Sequence, residues 1–428
     1  MMLTVLSSVF LSTILIGVPI AFGMGLAGAV WILAFEGLEP SILVRRMHTV
    51  LSSFPLLAIP LFVMIGFLAE RCGMLPELVR WLQLLLGRLR GGMAYINVVG
   101  SMVFAGVSGS AVSDVASLGR VEIGMMRQAG YSVPYSAALT AASAILAPII
   151  PPSVAMVLYG LAAGNISIGG LFLAGAIPGA LMGLGLIAIS WHKARGGEYG
   201  VLVDRPSPGE LVRQTVRVVP LVLLPLIIIG GIVSGVFTVT ESAAIGVVYT
   251  LLIGFLVTRQ LRPQDIYDAV VYSAVISSVL GMLMGAGAIV SWILTRNRVT
   301  QELADFLVSL TSDPALFMLL VVIALLLLGM VMDAVAIIIA LAPLLAPIAR
   351  QYGIDDLQFG VVFVASAMVG LITPPVGIIL AMTATVAEIT LEAISRAVVG
   401  FVTWMVAVLV LIALLPQLTL WLPRMLGF

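Results

Sequence analysis

Charge is what this 428-residue chain has least of: Asp, Glu, Lys and Arg make up 9% of it, against about 25% in soluble domains. With 61% apolar residues, that scarcity excludes a soluble enzyme, a nucleic-acid binder and a disordered scaffold. The 20 basic residues balance 20 acidic ones, so no surplus of either sign points to a nucleic acid or an acidic partner. Cys72 is the only cysteine, which excludes an intramolecular disulfide and a thiolate metal cluster. His48 and His192 are the only histidines, too few for haem, zinc or di-iron ligation. The first charged residue is Glu36, so the N-terminus lacks the basic region of a cleavable signal peptide, and Met1 onward is expected to stay as the first membrane helix. What remains is a polytopic membrane protein, helical because unpaired backbone groups are too costly in lipid.

A span needs about 20 apolar residues. That rule predicts spans near 3–34, 50–70, 131–164, 168–191, 218–236, 239–258, 264–294, 353–387 and 392–423. Residues 72–90 mix charge with Leu at helical spacing and read as an interfacial amphipathic helix. The longest polar stretch, 192–217, reads as a solvated loop between two halves.

Two segments fit no simple span. Residues 93–129 are interrupted at Gly106-Val107-Ser108-Gly109-Ser110, and 314–350 around Gly329–Asp333. Each arm has about 15 residues, or about 22 Å of helix, against a hydrocarbon core of about 30 Å. Arms that short read as re-entrant hairpins whose tips sit near mid-membrane, shielded by protein; the alternative is one long tilted helix.

The halves repeat. Residues 98–166 align with 321–389 without a gap, placing Gly106 on Gly329, Arg127-Gln128 on Arg350-Gln351, Gly130 on Gly353 and Pro151-Pro152 on Pro374-Pro375. An odd number of spans lies between the two hairpins, so the second copy is inverted. Inverted repeats with broken helices are the architecture of secondary transporters. Placing 192–217 in the cytoplasm puts most basic residues inside, as expected for span ends, although Arg45, Arg46, Arg296 and Arg298 then fall outside.

Polar groups inside such a chain are the informative ones. In the first repeat these are Ser108, Ser110, Ser113 and Asp114 at the tip, followed by a helix interrupted at Pro148-Ile149-Ile150-Pro151-Pro152-Ser153. In the second they are Asp333 and the break Gly370-Leu371-Ile372-Thr373-Pro374-Pro375. Paired prolines unwind a helix and free carbonyls. Carbonyls, hydroxyls and a carboxylate are hard ligands suited to Na⁺, and half-helix N-termini suit a substrate carboxylate. Candidate Na⁺ residues are therefore Ser108, Gly109, Ser110, Asp114, Pro148, Pro151, Gly329, Asp333, Gly370, Thr373 and Pro374; candidate substrate residues are Ser108, Ser153, Asp333, Thr373 and Gly377. Proline often only bends a membrane helix, and serine beside glycine often serves packing. An intramembrane carboxylate is a functional candidate by default. Glu241 either serves function or complements a helix dipole, and Arg120 with Glu122 is a structural pair or faces a water-filled cavity.

Gly106 through Asp114, Gly130-Tyr131, Pro148 through Ser153, Leu171 through Gly179, Thr240-Glu241-Ser242-Ala243-Ala244, Phe359-Gly360 and Gly370 through Gly377 together resemble the large membrane subunit of tripartite ATP-independent periplasmic (TRAP) transporters over nearly the whole chain. The resemblance implies an all-α polytopic membrane protein of the ion-transporter superfamily, with inverted repeats that each hold a re-entrant hairpin and a Pro-Pro broken helix. Scaffold would be 1–92, 168–312 and 391–428; the transport domain would be 93–167 (hairpin 93–129, broken helix 131–164) and 313–390 (hairpin 314–350, broken helix 353–387). It further implies an elevator-type importer in a bacterial or archaeal cytoplasmic (inner) membrane, with Na⁺ as coupling ion and no other cofactor. A periplasmic binding protein would deliver an organic acid, and a small four-helix membrane subunit would be a separate chain. Ser366 stands where the family often has Asn, and Ser113 where Ala is common; Asn to Ser loses reach and an amide donor. Two rival readings are a stand-alone Na⁺-coupled carboxylate transporter and an intramembrane serine protease built on Gly106-Val107-Ser108-Gly109. The protease needs a histidine beside the serine, and His48 and His192 lie at or beyond span ends, so no enzyme is expected.

Overall fold

The computed structural model describes residues 2–35, 39–164, 166–196 and 207–428, and every regular element in them is a helix. The apolar run 3–34, expected as one span, is two packed helices, α1 (Met2–Leu15) and α2 (Ile20–Phe35). Gly17, at φ +82°, and Pro19 separate them: a left-handed residue and a missing backbone donor end one helix and start the next. After α3 (Ser41–Leu51), a 3₁₀ turn at Phe54–Leu57 leads into α4 (Ala58–Arg71). The amphipathic segment forms α5 (Met74–Leu86), which turns Met74, Leu75, Leu78, Val79 and Leu82 inward at helical spacing and leaves Arg80 exposed.

The first repeat consists of α6 (Gly92–Ser108), α7 (Ala111–Asp114), a π-helical turn at Val115–Gly119, α8 (Arg120–Gln128), α9 (Val133–Ala144) and α10 (Val154–Ala162). The chain reverses at Gly109, whose φ is +58°, and loses helix again over 145–153. Long helices follow: α11 (Ile168–Arg195), α12 (Pro208–Val233), α13 (Val239–Leu252) and α14 (Pro263–Arg296). Of the loop expected over 192–217, α11 and α12 take both ends, and 197–206 lie outside the described residues. Glu241 closes a capping box at the start of α13, accepting the Thr238 N–H at 2.8 Å while Thr238 Oγ1 accepts the Glu241 N–H at 3.3 Å. Its carboxylate is thus engaged by the helix it starts.

The second repeat begins after α15 (Val299–Leu310), which lies at 116° to the next helix. It consists of α16 (Pro314–Gly329), α17 (Ala334–Gln351), α18 (Asp356–Gly370) and α19 (Ile378–Val386). The final run, 392–423, was expected as one span but divides into α20 (Leu391–Leu414) and α21 (Gln417–Met425). Leu415, ahead of Pro416, is pushed out of the helical region to φ −117°, ψ 87°.

Among the described residues, seven helices are long and apolar enough to cross a membrane. The hairpin arms α6 and α16, of 17 and 16 residues, rise about 25 Å and fall short of a full crossing. Length alone places α17 among the seven, yet it returns from the same tip that ends α16. Glycine permits the closest contact in this half: a Cβ on Gly329 would stand 2.7 Å from the Ala367 carbonyl oxygen and 2.8 Å from Gly370 Cα, so α16 and α18 cross backbone to backbone. One large apolar core joins hairpins and broken helices to α4, α5, α11, α12 and α20. A separate cluster of Leu6, Ala27, Trp31, Ile32, Ile289 and Ile293 ties α1 and α2 to the C-terminal half of α14.

Candidate functional site

The two hairpin tips meet at one cavity of about 410 Å³. Ser108 through Ser113 line it from the first tip, Pro148, Val154 and Ala155 from the first broken helix, and Asp333 through Val335 from the second tip. The facing wall is α4, with Val63, Gly66, Phe67 and Glu70, and α14, with Tyr272, Ile276 and Leu280. The wall sits tight against the tip: a Cβ on Gly66 would lie 3.2 Å from Ser108 Cα.

Three helices start at or just behind this cavity, each with a polar N-cap. Ser110 caps α7 in an extended conformation, its Oγ facing the Ser113 N–H at 3.5 Å. Ser153 caps α10, accepting the Met156 N–H at 3.1 Å and donating to the Pro148 carbonyl at 2.5 Å. Asp333 caps α17 through Oδ1, which accepts the Val335 N–H at 2.9 Å. N-termini carry partial positive charge and favour an anion, while hydroxyls and two exposed carboxylates, Asp333 and Glu70, favour a cation in the same cavity. Gly109 binds tip to broken helix: a Cβ there would come 2.8 Å from the Pro152 carbonyl oxygen.

Of the residues predicted from sequence, Ser108, Gly109, Ser110, Pro148 and Asp333 thus share one cavity. The others stand behind it. Pro151 and Pro374 each precede a cis peptide bond, to Pro152 and Pro375. Gly329 and Gly370 face each other at the α16–α18 crossing. Thr373 Oγ1 donates to the Val369 carbonyl at 2.8 Å, and the Gly377 N–H donates to the Met330 carbonyl at 3.1 Å, joining the second break to the second tip. Ser153 is wholly buried beneath its helix.

Asp114 lies deeper, 2% exposed, and Glu122 joins it in the interior at 1%. Neither Asp114 oxygen has a hydrogen-bond partner, nor has Glu122 Oε2. Ser101, close to Asp114, donates its hydroxyl to Ser143 Oγ at 3.1 Å, and Ser143 donates to Asn97 Oδ1 at 2.9 Å. Asn97 Nδ2 in turn donates to Thr140 Oγ1 at 2.6 Å. The first hairpin and its broken helix therefore enclose a polar interior containing two carboxylates. Arg120 is exposed, so the pairing of Arg120 with Glu122 that the sequence allowed is not formed.

Sequence reasoning missed the facing wall and the inward turn of Glu122. The wall residues are mostly apolar, and nothing in their sequence separates them from lipid-facing or core residues. Glu122 comes eight residues after Asp114, which in a plain α-helix puts it about 80° round from that residue. The π-helical turn at Val115–Gly119 absorbs one residue and restores a common face, a register shift that no residue type announces.

Residues 8–418 match the family described as "Tripartite ATP-independent periplasmic transporter, DctM component". The chain is 34% identical to the sialic acid TRAP transporter large permease protein SiaM of Vibrio cholerae, covering 97% of each chain. It is also 34% identical to the C4-dicarboxylate TRAP transporter large permease protein DctM of Pseudomonas aeruginosa, covering 94% of each. Among solved structures, the YdaH transporter of Alcanivorax borkumensis, described as having an unusual topology, shares the fold at TM-score 0.60 and 17% identity over 89% of both chains.

Proposed function

The chain belongs to the DctM component family of tripartite ATP-independent periplasmic transporters, and from that premise we propose that it is the importing subunit for an organic acid, driven by a Na⁺ gradient. Membership makes it a multi-pass transport permease and not an enzyme. A periplasmic binding protein delivers the acid, a small four-helix subunit joins the scaffold, and the assembly sits in the cytoplasmic membrane of a bacterium or archaeon. The relatives' printed substrates, sialic acid and C4-dicarboxylates, favour a carboxylate.

The observation that carries this reading is the convergence of both tips on one cavity, faced by α4 and α14. Carbonyls and hydroxyls at the tips suit Na⁺, and the N-termini of α10 and α17 suit the substrate carboxylate. The apolar wall gives the tips a surface to slide on, which supports an elevator with 93–167 and 313–390 as the moving body. With the 192–217 loop in the cytoplasm, α14 starts at the inner face and the cavity lies along its first half.

Uptake of a labelled organic acid into proteoliposomes holding this chain and its small subunit tests the reading. Uptake should need both an inward Na⁺ gradient and the loaded binding protein. Uptake indifferent to Na⁺ overturns the coupling, and gradient-driven uptake without the binding protein makes the chain a stand-alone transporter.

A further inference from the structure

A second cavity, of about 350 Å³, continues the line of the first along the same helices. On α14 the first cavity ends at Leu280, and the second begins one turn later at Met284 and runs to Thr295. On α17 the order is Val335 then Ile339, and on α10 it is Ala155 then Leu161. Three helices thus pass both cavities in the same order, with steps of about 6–9 Å between them. In the wall of the second cavity a Cβ on Gly287 would come 2.5 Å from Ile339 Cγ2, so scaffold and second hairpin touch there with no room to spare.

The second cavity is basic. Arg46 of α3 lines it, with its guanidinium 5.2 Å from the ring centre of Trp292, and no described lining residue is Asp or Glu. Arg296 holds the same indole at 5.5 Å, so the ring is set between two cations. Thr49, Ser291 and Thr295 add hydroxyls. In the orientation proposed above, this mouth faces away from the cytoplasm, where arginine runs against the positive-inside bias. A basic cavity in that place, in line with the tips, fits an anion on its way in.

We propose that this second cavity is a waiting site for the carboxylate of the incoming organic acid, held by Arg46 against Trp292 before the hairpin tips receive it. The proposal rests on the import reading above. A guanidinium offers a carboxylate two parallel, charge-assisted hydrogen bonds, and low-dielectric walls focus its field into the cavity.

Ser291, half-buried on the cavity wall, gives a probe that needs no knowledge of the substrate. The native Cys72 supplies a silent background: it is fully buried, and burial, with the Asp265 charge as a lesser cause, pushes its thiol up to about 12. A Ser291→Cys variant of the complete membrane complex is labelled from the extracytoplasmic side with two impermeant methanethiosulfonates, one carrying a sulfonate and the other a trimethylammonium. Each rate is divided by that reagent's rate with a free thiol in solution. The anionic reagent should be favoured at least about fivefold, the factor that a unit charge about 4 Å away gives even at the dielectric of water. The preference should fall severalfold, to what Arg296 alone supplies, when Arg46→Gln is added and survive Arg46→Lys. A preference that ignores Arg46→Gln, or labelling confined to the cytoplasmic side, overturns the proposal.

A second readout separates substrate capture from protein docking. In the otherwise native complex, Arg46→Gln should slow uptake at limiting substrate about fivefold while the loaded binding protein keeps its affinity for the membrane complex. Loss of that affinity would assign Arg46 to docking and overturn the waiting site. Absence of Na⁺-dependent uptake in the unsubstituted complex strikes the import reading instead, because the labelling ratio reports the cavity's potential whether or not transport is coupled to Na⁺.

Discussion

Ser110 and Asp333 hold the same place in the two repeats, and each caps the helix that leaves its tip. Behind those caps the hairpins part company. Asn97, Ser101, Asp114, Glu122 and Thr140 of the first correspond to Leu320, Ala324, Ile337, Leu345 and Phe363 of the second. Apart from Ser366, the buried counterpart of Ser143, the second repeat builds the same hairpin and broken helix around apolar side chains, with its carboxylate out at the cavity. The architecture therefore does not require a polar interior. Two buried carboxylates with three oxygens unpaired are costly, so the first repeat keeps them for something other than stability. In the Na⁺-coupled reading, the coupling ion supplies the missing charge.

The largest effect expected from breaking this comparison is structural. Gly329→Val would drive a side chain into the Ala367 carbonyl and Gly370, costing about 3 kcal/mol or more. The monodisperse yield in detergent should collapse. Its repeat partner, Gly106→Ala, meets the ring of Pro225 at 2.9 Å rather than backbone, and should cost about 1 kcal/mol. Equal losses would show that the two crossings are not different after all.

At the tips, Asp333→Asn should cut Na⁺-dependent uptake at least about tenfold, or about 1.4 kcal/mol of transition-state stabilisation. Its amide oxygen can still cap α17, so folded yield should hold. Ser110→Ala should weaken its cap by about 1 kcal/mol and lower uptake less. Normal uptake in Asp333→Asn would remove that carboxylate from the site.

Inside the first repeat, Asp114→Asn should leave the thermal midpoint in Na⁺-free buffer unchanged or raised, because a charge without partners is replaced by a neutral amide. The increment that Na⁺ adds to that midpoint should shrink. An increment equal to that of the native chain would take Asp114 out of the ion-binding set. The smallest effect belongs to Pro151→Ala, about two- to threefold on uptake, since Pro152 still lacks a donor and keeps the break open.

The hairpins and the Pro-Pro breaks were legible in the sequence because they are irregularities that lipid makes expensive: short arms, polar tips and missing backbone donors. Other breaks were not. Pro178, Pro220 and Pro225 sit inside continuous helices, whereas Pro19 and Pro416 stand at breaks, so proline alone does not say which. Gly17 beside Pro19 decides the first case through its positive φ, a conformation that composition does not reveal. The cavity wall was hidden for a simpler reason. Val63, Phe67 and Ile276 are as apolar as residues that face lipid, and only the fold turns them towards the tips.

The contact of Gly287 with Ile339 also bears on speed. In the elevator reading, Ile339 must pass the face of α14 on which Gly287 stands between Met284 and Ser291. The missing side chain there sets a kinetic barrier rather than an affinity. A bulky residue at Gly287 would act as a brake, lengthening the dwell at either end of the stroke while both end states still bind their ligands.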